Sequence, residues 1–332
     1  MTPILLFVLT SGLSACAVGA ALVYARQRLL DLPNQRSSHE RPTPRGGGIG
    51  LVAALVATAG AAAWMDGAVR ALPILAALVV VAALGWWDDH RPLSARFRLA
   101  IQALAAAVVI AALPLPGEVV AFGWLLPVGG AVGWVVALAA AVWIINLTNF
   151  MDGIDGIAGT QGFVAGLAYW VVLGGWSGSL AVACAGSCLG FLAWNWPPAR
   201  IFLGDVGSTT LGLVFVVMML ACLQGGLPVE AVLLPIAPFF ADATATLLRR
   251  AWNREHLATA HRSHLYQRLA ARLGSHRVVT CLYAGLAVAG GVGAIGIARG
   301  WWPGFAASAC WLLTFTACAV AARSGPGARV AR

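Results

Sequence analysis

The sequence predicts an all-α polytopic membrane protein with about 11 transmembrane helices. Of the 332 residues, 60% are hydrophobic and 10% are charged, whereas an ordinary soluble domain carries roughly 25% charged residues. A chain of this composition cannot cover a water-facing surface. Apolar stretches long enough to cross a hydrocarbon core of about 30 Å follow one another along the chain, and the basic residues fall in alternate loops between them.

The predicted spans divide the chain regularly. They can be drawn at about 3 to 24, 47 to 64, 71 to 87, 99 to 113, 130 to 146, 161 to 175, 180 to 196, 208 to 223, 231 to 247, 278 to 298 and 303 to 322. The first has no basic residue before it and no small-residue cleavage site after it, so it is interpreted as a retained span and not a secretory signal. Residues 114–129 are rich in Pro and Gly and are predicted to form a loop that dips into the interface, with a short extra span as the alternative.

The arginines set the predicted orientation. All 21 basic residues are arginine, and only Arg70 and Arg299 fall outside one set of alternate loops and the carboxy-terminal tail. The positive-inside rule therefore places the amino terminus in the periplasm and the carboxy terminus in the cytoplasm. The net charge of +9 follows from this orientation and does not indicate nucleic acid.

The predicted organisation is a single integral-membrane domain over residues 1–322, followed by a basic cytoplasmic tail over residues 323–332. All six histidines and most of the aspartates fall on the cytoplasmic side. The cytoplasmic loops that would carry the chemistry lie at about 26–46, 88–98, 146–160, 197–207 and 248–277.

Asp88 and Asp89 close the third span. They repel each other, and they stand at a helix C-terminus, where the dipole disfavours negative charge. Hydration at the interface is one explanation of the pair. A divalent cation, an arginine or a raised pKa would relieve the repulsion and would indicate a site.

The segment after the fifth span, NLTNFMDGIDGIAG, contains Asn146, Asn149, Asp152 and Asp155. If this segment is helical, the two aspartates share one face, and the neighbouring glycines let a ligand or a backbone approach closely. The alternative is an Asx-turn and helix cap at the membrane boundary.

Two glycine-containing motifs precede other spans. Asp205 lies in FLGDVGS before the eighth span, and Ser208 is predicted to cap that helix with its N–H groups open to an anion; a cap alone is the alternative. Arg45 precedes three glycines in PTPRGGG. A phosphate-binding loop and close helix packing explain those glycines equally well.

The longest cytoplasmic loop carries His261, Arg262 and His264. Histidines at i and i+3 would share a helix face suited to a metal or a phosphate, with a solvated basic face for anionic lipid headgroups as the alternative. Asp242 lies within the ninth span, where an ionisable group usually faces the protein interior. We expect it to contact this basic loop.

Carboxylate clusters and an Arg/His-rich loop on one membrane face suit a metal-bound diphosphate. Oxygen ligands favour Mg²⁺, with Mn²⁺ as an alternative. The acceptor must reach the site from the bilayer, which a lipid phosphate can do. A secondary transporter is the competing hypothesis, but its ionisable groups should lie near the bilayer midplane in repeated halves.

In this order, the motifs resemble those of the polyprenyl-phosphate N-acetylhexosamine-1-phosphate transferase superfamily, glycosyltransferase family 4, over about residues 30 to 280. HRSHLYQRL is most similar to the O-antigen-initiating branch. The resemblance implies metal ligands at Asp205 and Asp152, catalytic carboxylates at Asp88, Asp89, Asp152 and Asp155, and substrate-binding residues at Arg45, Asn146, Asn149, His261, Arg262 and His264.

The resemblance also implies a reaction. A UDP-N-acetylhexosamine would give its sugar phosphate to polyprenyl phosphate, with Mg²⁺ as cofactor and UMP as product, and so start an O-antigen or another envelope polysaccharide. The enzyme would lie in the bacterial inner membrane among its lipids, with its active site facing the cytoplasm and a homodimer as one arrangement. The sugar stays open among GlcNAc, FucNAc, QuiNAc and others.

Overall fold

The computed structural model of the chain describes residues 1–32, 42–256 and 262–303, together with residues 306, 309–311, 314 and 316. It confirms an all-α polytopic membrane protein. The helices are α1 Pro3–Arg28, α2 Gly48–Met65, α3 Ala71–His90, α4 Ala95–Ala112, α5 Gly130–Phe150, α6 Ile157–Val172, α7 Gly175–Asn195, α8 Gly204–Gln224, α9 Val229–Leu233, α10 Ala237–Trp252, α11 Leu265–Leu273 and α12 His276–Ala298.

Most predicted spans correspond to one of these helices. Nine segments of the described chain are long and apolar enough to cross a membrane, one of them the continuous stretch Val229–Trp252, in which a 3-10 turn at Leu234–Ile236 joins α9 to α10. The sixth span, α6, is an apolar helix of 16 residues, which is about 24 Å long. The eleventh, at about 303 to 322, lies largely outside the described residues.

Two short antiparallel ribbons complete the described structure: β1 Leu30–Asp31 with β2 Thr43–Pro44, and β3 Glu118–Ala121 with β4 Trp124–Pro127. The second ribbon occupies the Pro- and Gly-rich stretch at 114–129. The loop prediction is therefore refined to a hairpin, and the alternative of an extra span there is wrong.

Several helix ends are set by local sequence. The side chains of Thr2, Ser94 and Ser275 accept hydrogen bonds from the N–H groups three residues ahead and so cap α1, α4 and α12. Gly274, with φ of 62°, ends α11 in the left-handed conformation, which glycine adopts without steric cost. Short turns can then join α11 to α12 and α3 to α4.

Helix α8 is the central element. It is buried along nearly its whole length and packs against α2, α3, α5 and α7. A Cβ atom at Gly212 would lie 2.6 Å from Ile145 Cα, so the absence of a side chain there allows the backbones of α5 and α8 to meet. The close packing brings the amino end of α8 beside the ends of α2, α3, α4 and α5.

Exposed tryptophans mark the two ends of the bundle. One end of the bundle carries Trp64 in the last turn of α2, Trp124 in β4 and Trp301 after α12. Trp252 lies at the other end, where α10 ends. Tryptophan is enriched at both membrane–water interfaces because its ring is apolar and its N–H is polar. The aromatic positions agree with a bundle that spans the bilayer.

Candidate active site

Asp89 caps the helix that carries Asp205. Its Oδ1 and Oδ2 accept the N–H groups of Asp205 and Val206 at 3.1 and 3.2 Å. Gly204 has φ of 76°, and a Cβ atom there would lie 2.6 Å from Asp89 Oδ2. A carboxylate at a helix N-terminus is favoured by the free N–H groups and by the helix dipole.

This contact corrects the prediction for Ser208. Helix α8 begins at Gly204, so Ser208 lies inside the helix, one turn after its start, where its hydroxyl donates to Gly204 O at 3.1 Å. The predicted Ser208 cap is wrong, and so is the expectation of an open anion site at this helix start. The Asp89 carboxylate already accepts the first N–H groups of α8.

The Asp205 carboxylate joins three helices. Its Oδ1 accepts a hydrogen bond from Asn149 Nδ2 on α5 at 2.8 Å, and its Oδ2 lies 3.4 Å from Arg98 Nη1 on α4. Asn149 Nδ2 also donates to Ser208 Oγ at 2.9 Å. Asp205 and Asn149, predicted from motifs far apart in the sequence, therefore lie in one site.

Asp88 lies in the same cluster. Its Oδ2 is 2.6 Å from Arg98 Nη1, which also contacts Asp205, and its Oδ1 accepts Leu93 N–H at 2.6 Å. Arg98 lies in the predicted cytoplasmic loop at 88–98 and belongs to none of the motifs. Its place on the first turn of a helix, ten residues after Asp88, was the signal that could have identified it.

The PTPRGGG motif packs against the start of α8. Phe202 N–H donates to Pro44 O at 2.8 Å, and the N–H of Gly48 donates to Leu203 O at 2.8 Å. A Cβ atom at Gly48 would overlap the Gly207 backbone, so the packing explanation of the glycines is confirmed. Arg45 nevertheless reaches the site, because its Nη2 donates to Asp89 O and its Nε lies 3.9 Å from Asp89 Oδ1.

Asp152 lies in the turn between α5 and α6, not in a helix. Helix α5 ends at Phe150, and Gly156, with φ of 76°, precedes α6. The expectation that Asp152 and Asp155 share a helix face is therefore wrong. Burial, together with the negative charges of Asp205, Asp89 and Asp155, raises the pKa of Asp152 to about 8.

Asp155 holds this turn against neighbouring elements. Its Oδ2 accepts Ala199 N–H at 3.1 Å and lies 3.4 Å from His276 Nδ1, while its carbonyl accepts the Thr280 hydroxyl at 2.8 Å. These contacts fix the turn to the start of α12. The catalytic role of Asp155 stays a prediction, as does that of Asp89.

Asn146 lies one turn before Asn149 on α5. Its Nδ2 donates to Gln102 Oε1 on α4 and to Val142 O, both at 2.8 Å. Gln102 is buried and was not singled out from the sequence, although it follows Arg98 by one helical turn on α4. Substrate binding by Asn146 stays a prediction, and its observed contacts tie α4 to α5.

The loop that carries His261, Arg262 and His264 is anchored by Asp242, as predicted. Leu265 and Tyr266 N–H donate to Asp242 Oδ1 and Oδ2 at 2.8 and 2.9 Å, and His264 Nδ1 lies 3.6 Å from Asp242 Oδ1. Because α11 begins at Leu265, His264 precedes the helix and does not lie on a helix face as expected. Arg262 is exposed, and His261 lies outside the described residues.

Tyr266 brings this loop to the Asp152 turn. Its hydroxyl donates to Phe150 O at 2.9 Å, and a Cβ atom at Gly153 would overlap that hydroxyl. Burial, the Asp242 carboxylate and the Asp152 carboxylate raise the pKa of Tyr266 well above its ordinary value. Segments from the whole predicted set of motifs therefore meet at one end of the bundle.

The donor set fits Mg²⁺ better than a softer metal. Among residues 1–32, 42–256 and 262–303, no group of three or more His, Cys, Asp or Glu side chains is arranged to hold a metal ion by itself. Mg²⁺ usually takes one or two carboxylates together with water and substrate phosphates. Asp205 and Asp152 offer such oxygens. Their negative charges repel each other, and a bound cation would relieve that repulsion.

Comparison with known proteins identifies the family. The profile described as Glycosyl transferase family 4 matches residues 71–223. A probable undecaprenyl-phosphate N-acetylglucosaminyl 1-phosphate transferase of Bacillus subtilis is 31% identical over 265 residues, which cover 75% of this chain and 72% of that protein. The chain belongs to glycosyl transferase family 4. The resemblance seen in the motifs is thereby confirmed at the level of the superfamily.

Two further relatives match this chain over different lengths. A decaprenyl-phosphate N-acetylglucosaminephosphotransferase of Mycobacterium tuberculosis is 30% identical over 297 residues, covering 76% of this chain and 71% of that protein. A phospho-N-acetylmuramoyl-pentapeptide-transferase of Thermosynechococcus vestitus is 38% identical over 194 residues, covering 52% of this chain and 50% of that protein. The family 4 match runs from α3 to α8 and so includes Asp88, Asp152 and Asp205.

Proposed function

We propose that this family 4 protein transfers N-acetylhexosamine-1-phosphate from a UDP-sugar to polyprenyl phosphate and releases UMP. The observation that carries the proposal is one connected cluster of side chains from four different helices: Arg98 contacts both Asp88 and Asp205, and Asn149 donates to Asp205. The three relatives are named as transferases of phosphorylated amino sugars, and two of their names specify a polyprenyl-phosphate acceptor.

Each residue has a defined part in this proposal. Asp205 and Asp152 would hold Mg²⁺, with Mn²⁺ as the alternative, and the bound ion would neutralise charge as the phosphoanhydride breaks. Asn149 orients the Asp205 carboxylate. Arg45 and Arg262 would supply positive charge for the diphosphate, and His264, which lies beside Asp242, would contact the donor.

The chemistry is a single displacement. An oxygen of the lipid phosphate attacks the phosphorus attached to the sugar, a new phosphoanhydride forms, and the bond to UMP breaks with its electron pair leaving on UMP. The acceptor phosphate has a second pKa of about 6 and is largely a dianion near pH 7. Asp89 is engaged as a helix cap and Asp88 with Arg98, so these carboxylates position the site without having to remove a proton.

The place of the charged groups favours an enzyme over a transporter. Asp88 and Asp89 lie at the end of α3, Asp205 at the start of α8, and Asp152 beyond α5. A secondary transporter concentrates such groups near the bilayer midplane. The proposed location is the bacterial inner membrane, with this end of the bundle facing the cytoplasm, where UDP-sugars are found.

The product would begin an envelope polysaccharide. The similarity of HRSHLYQRL to the O-antigen-initiating branch supports an O-antigen as that polymer, whereas the relatives named above include N-acetylglucosaminyl and muramoyl-pentapeptide transferases. The proposal therefore commits to the reaction class and leaves the sugar to a donor panel.

The test uses the purified full chain with undecaprenyl phosphate, Mg²⁺ and a panel of UDP-GlcNAc, UDP-FucNAc and UDP-QuiNAc. We expect UMP and a lipid-linked sugar diphosphate in equal amounts from at least one donor, and neither from the Asp205→Asn variant. Uptake of a UDP-sugar into proteoliposomes without UMP release would support the transporter. A covalent phospho-enzyme on Asp152 would contradict single displacement.

A further inference from the structure

One guanidinium nitrogen of Arg98 contacts two of the carboxylates in the site. Its Nη1 lies 2.6 Å from Asp88 Oδ2 and 3.4 Å from Asp205 Oδ2. A divalent cation held by Asp205 and Asp152 would meet this guanidinium charge at the Asp205 carboxylate. The guanidinium therefore neutralises part of the negative charge of Asp88 and Asp205.

The two contacts are unequal. The Asp88 side chain is 7% exposed and its contact with Arg98 is short, whereas the Asp205 side chain is 31% exposed and its contact with Arg98 is long. Asp205 also keeps a second partner, because Asn149 Nδ2 donates to its Oδ1 at 2.8 Å. Asp205 can consequently lose Arg98 and remain oriented.

Arg98 is partly exposed to solvent, which leaves it room to change partners. Its side chain is 37% exposed and emerges from the first turn of α4. A guanidinium presents several N–H groups in a planar fork that matches the oxygens of a phosphate. A phosphate beside a metal-bound Asp205 would thus offer this arginine a new partner.

We propose that Arg98 competes with the divalent cation for Asp205 in the substrate-free protein and moves to a phosphate of the substrate when the cation binds. The cation and the diphosphate then bind cooperatively. The cation releases Arg98 from Asp205, and the phosphate gives Arg98 a new partner. Coupling between two ligands typically changes an affinity roughly 5- to 150-fold. The phosphate half of this inference rests on the proposed function, and the competition for Asp205 does not.

The test is a titration of the purified full chain with Mn²⁺ alone, in which free Mn²⁺ is measured by electron paramagnetic resonance. Arg98→Gln should bind Mn²⁺ roughly fivefold or more tightly than wild type, since the competing charge is gone. Arg96→Gln, on the same helix and exposed, makes the same change in net charge and should match wild type. Equal or weaker Mn²⁺ binding by Arg98→Gln than by Arg96→Gln would overturn the proposal.

A second titration adds uridine diphosphate and corrects for the Mn²⁺ that it binds in solution. Uridine diphosphate should tighten Mn²⁺ binding to wild type and should do so less in Arg98→Gln; an equal effect in both would overturn the phosphate half. If Arg98→Gln does not fold, Arg98→Lys replaces it and should bind Mn²⁺ at least as tightly as wild type. Weaker binding by that variant would overturn the competition. Because the first titration uses Mn²⁺ alone, its result can be interpreted even if the proposed transferase activity is absent.

Discussion

The Asp89 carboxylate and the Asp205 N–H group form a hydrogen bond of 3.1 Å between residues 116 positions apart. Together with the bond to Val206, it fixes the start of α8 against the end of α3. The paired aspartates at the end of α3 therefore have different tasks. Asp88 points its carboxylate at Arg98, while Asp89 holds the backbone that carries Asp205.

Asp89→Asn should lower both stability and turnover. An amide has only one acceptor oxygen, so one N–H of α8 would lose its partner, and the loss of a helix cap costs about 0.5 to 2 kcal/mol. The melting temperature and the rate of UMP release are the two measurements. Asp205→Asn is the contrast: it should abolish turnover without lowering the melting temperature, because it removes a charge from a crowded group of carboxylates. An Asp89→Asn protein of wild-type stability but no activity would instead indicate a direct chemical role.

Gly85→Ala should displace the start of α8. A Cβ atom at position 85 would lie 2.5 Å from Asp205 O and Val206 N, and overpacking of this kind typically costs about 1 to 3 kcal/mol. Activity should fall with stability, since the Asp205 backbone must move. Gly60→Ala on α2 is the control, because its nearest neighbour would be Leu75 Cδ1 at 3.7 Å. Equal melting temperatures for the two variants would contradict the close approach of α3 and α8.

Asp242→Asn should impair use of the donor more than the maximal rate. An amide at this position would set an N–H donor against the N–H groups of Leu265 or Tyr266, and an unsatisfied buried donor costs about 1 to 3 kcal/mol. Loosening the start of α11 would misplace His264. We expect a raised KM for the UDP-sugar with a smaller change in kcat.

Two companion variants make the Asp242 result specific. Tyr283→Phe removes only the hydroxyl that donates to Asp242 Oδ2 at 2.6 Å and should cost about 0.5 to 1.5 kcal/mol with a smaller rise in KM. His264→Ala should share the KM effect of Asp242→Asn. If His264→Ala responds to UDP-sugar concentration as wild type does, the assignment of His264 to the donor side is refuted.

The stability of the metal-free protein should fall as pH rises. A carboxyl has an ordinary pKa of about 4, and in the folded protein burial and neighbouring carboxylates raise the pKa of Asp152 to about 8. The folded state thus holds this proton more tightly than the unfolded state. The resulting stabilisation is fully present below about pH 4 and is lost as pH rises through 8.

Melting temperatures between pH 5 and 8.5, with a chelator and with Mg²⁺, measure this dependence. The downward slope should be present with the chelator and reduced by Mg²⁺, because a bound cation favours the ionised carboxylate. Asp152→Asn should flatten the slope, and Asp66→Asn, at the far end of α2, should leave it unchanged. A slope that is the same in all three proteins would remove Asp152 as its cause.

Most of the helices, and most of the residues that meet at one end of the bundle, could be predicted from the sequence. Apolar runs of about 20 residues have few ways to fold in a bilayer, and charge in alternate loops sets which ends meet. Asp205, Asn149 and Asp88 were predicted because motifs separated by a whole span were placed on the same side of the membrane.

The tasks of individual side chains could not be predicted because they depend on contacts between helices. Nothing local to Asp89 indicates that it caps α8, and the motif around Ser208 resembles a cap although the helix begins four residues earlier. Arg98 belongs to no motif, yet it contacts both Asp88 and Asp205. Such roles become visible only when the packing of α3, α4 and α8 is known.

The central claim is that Asp88, Asp152 and Asp205 form one site that binds a divalent cation together with the diphosphate of a UDP-sugar. Pulsed electron paramagnetic resonance of Mn²⁺ bound to the purified chain tests it directly, through the coupling of the metal to phosphorus nuclei. One Mn²⁺ per chain, with phosphorus coupling that grows on addition of UDP-GlcNAc and disappears in Asp205→Asn, is the predicted result. A bound Mn²⁺ whose spectrum is unchanged by the UDP-sugar, or is the same in Asp205→Asn, would contradict the account.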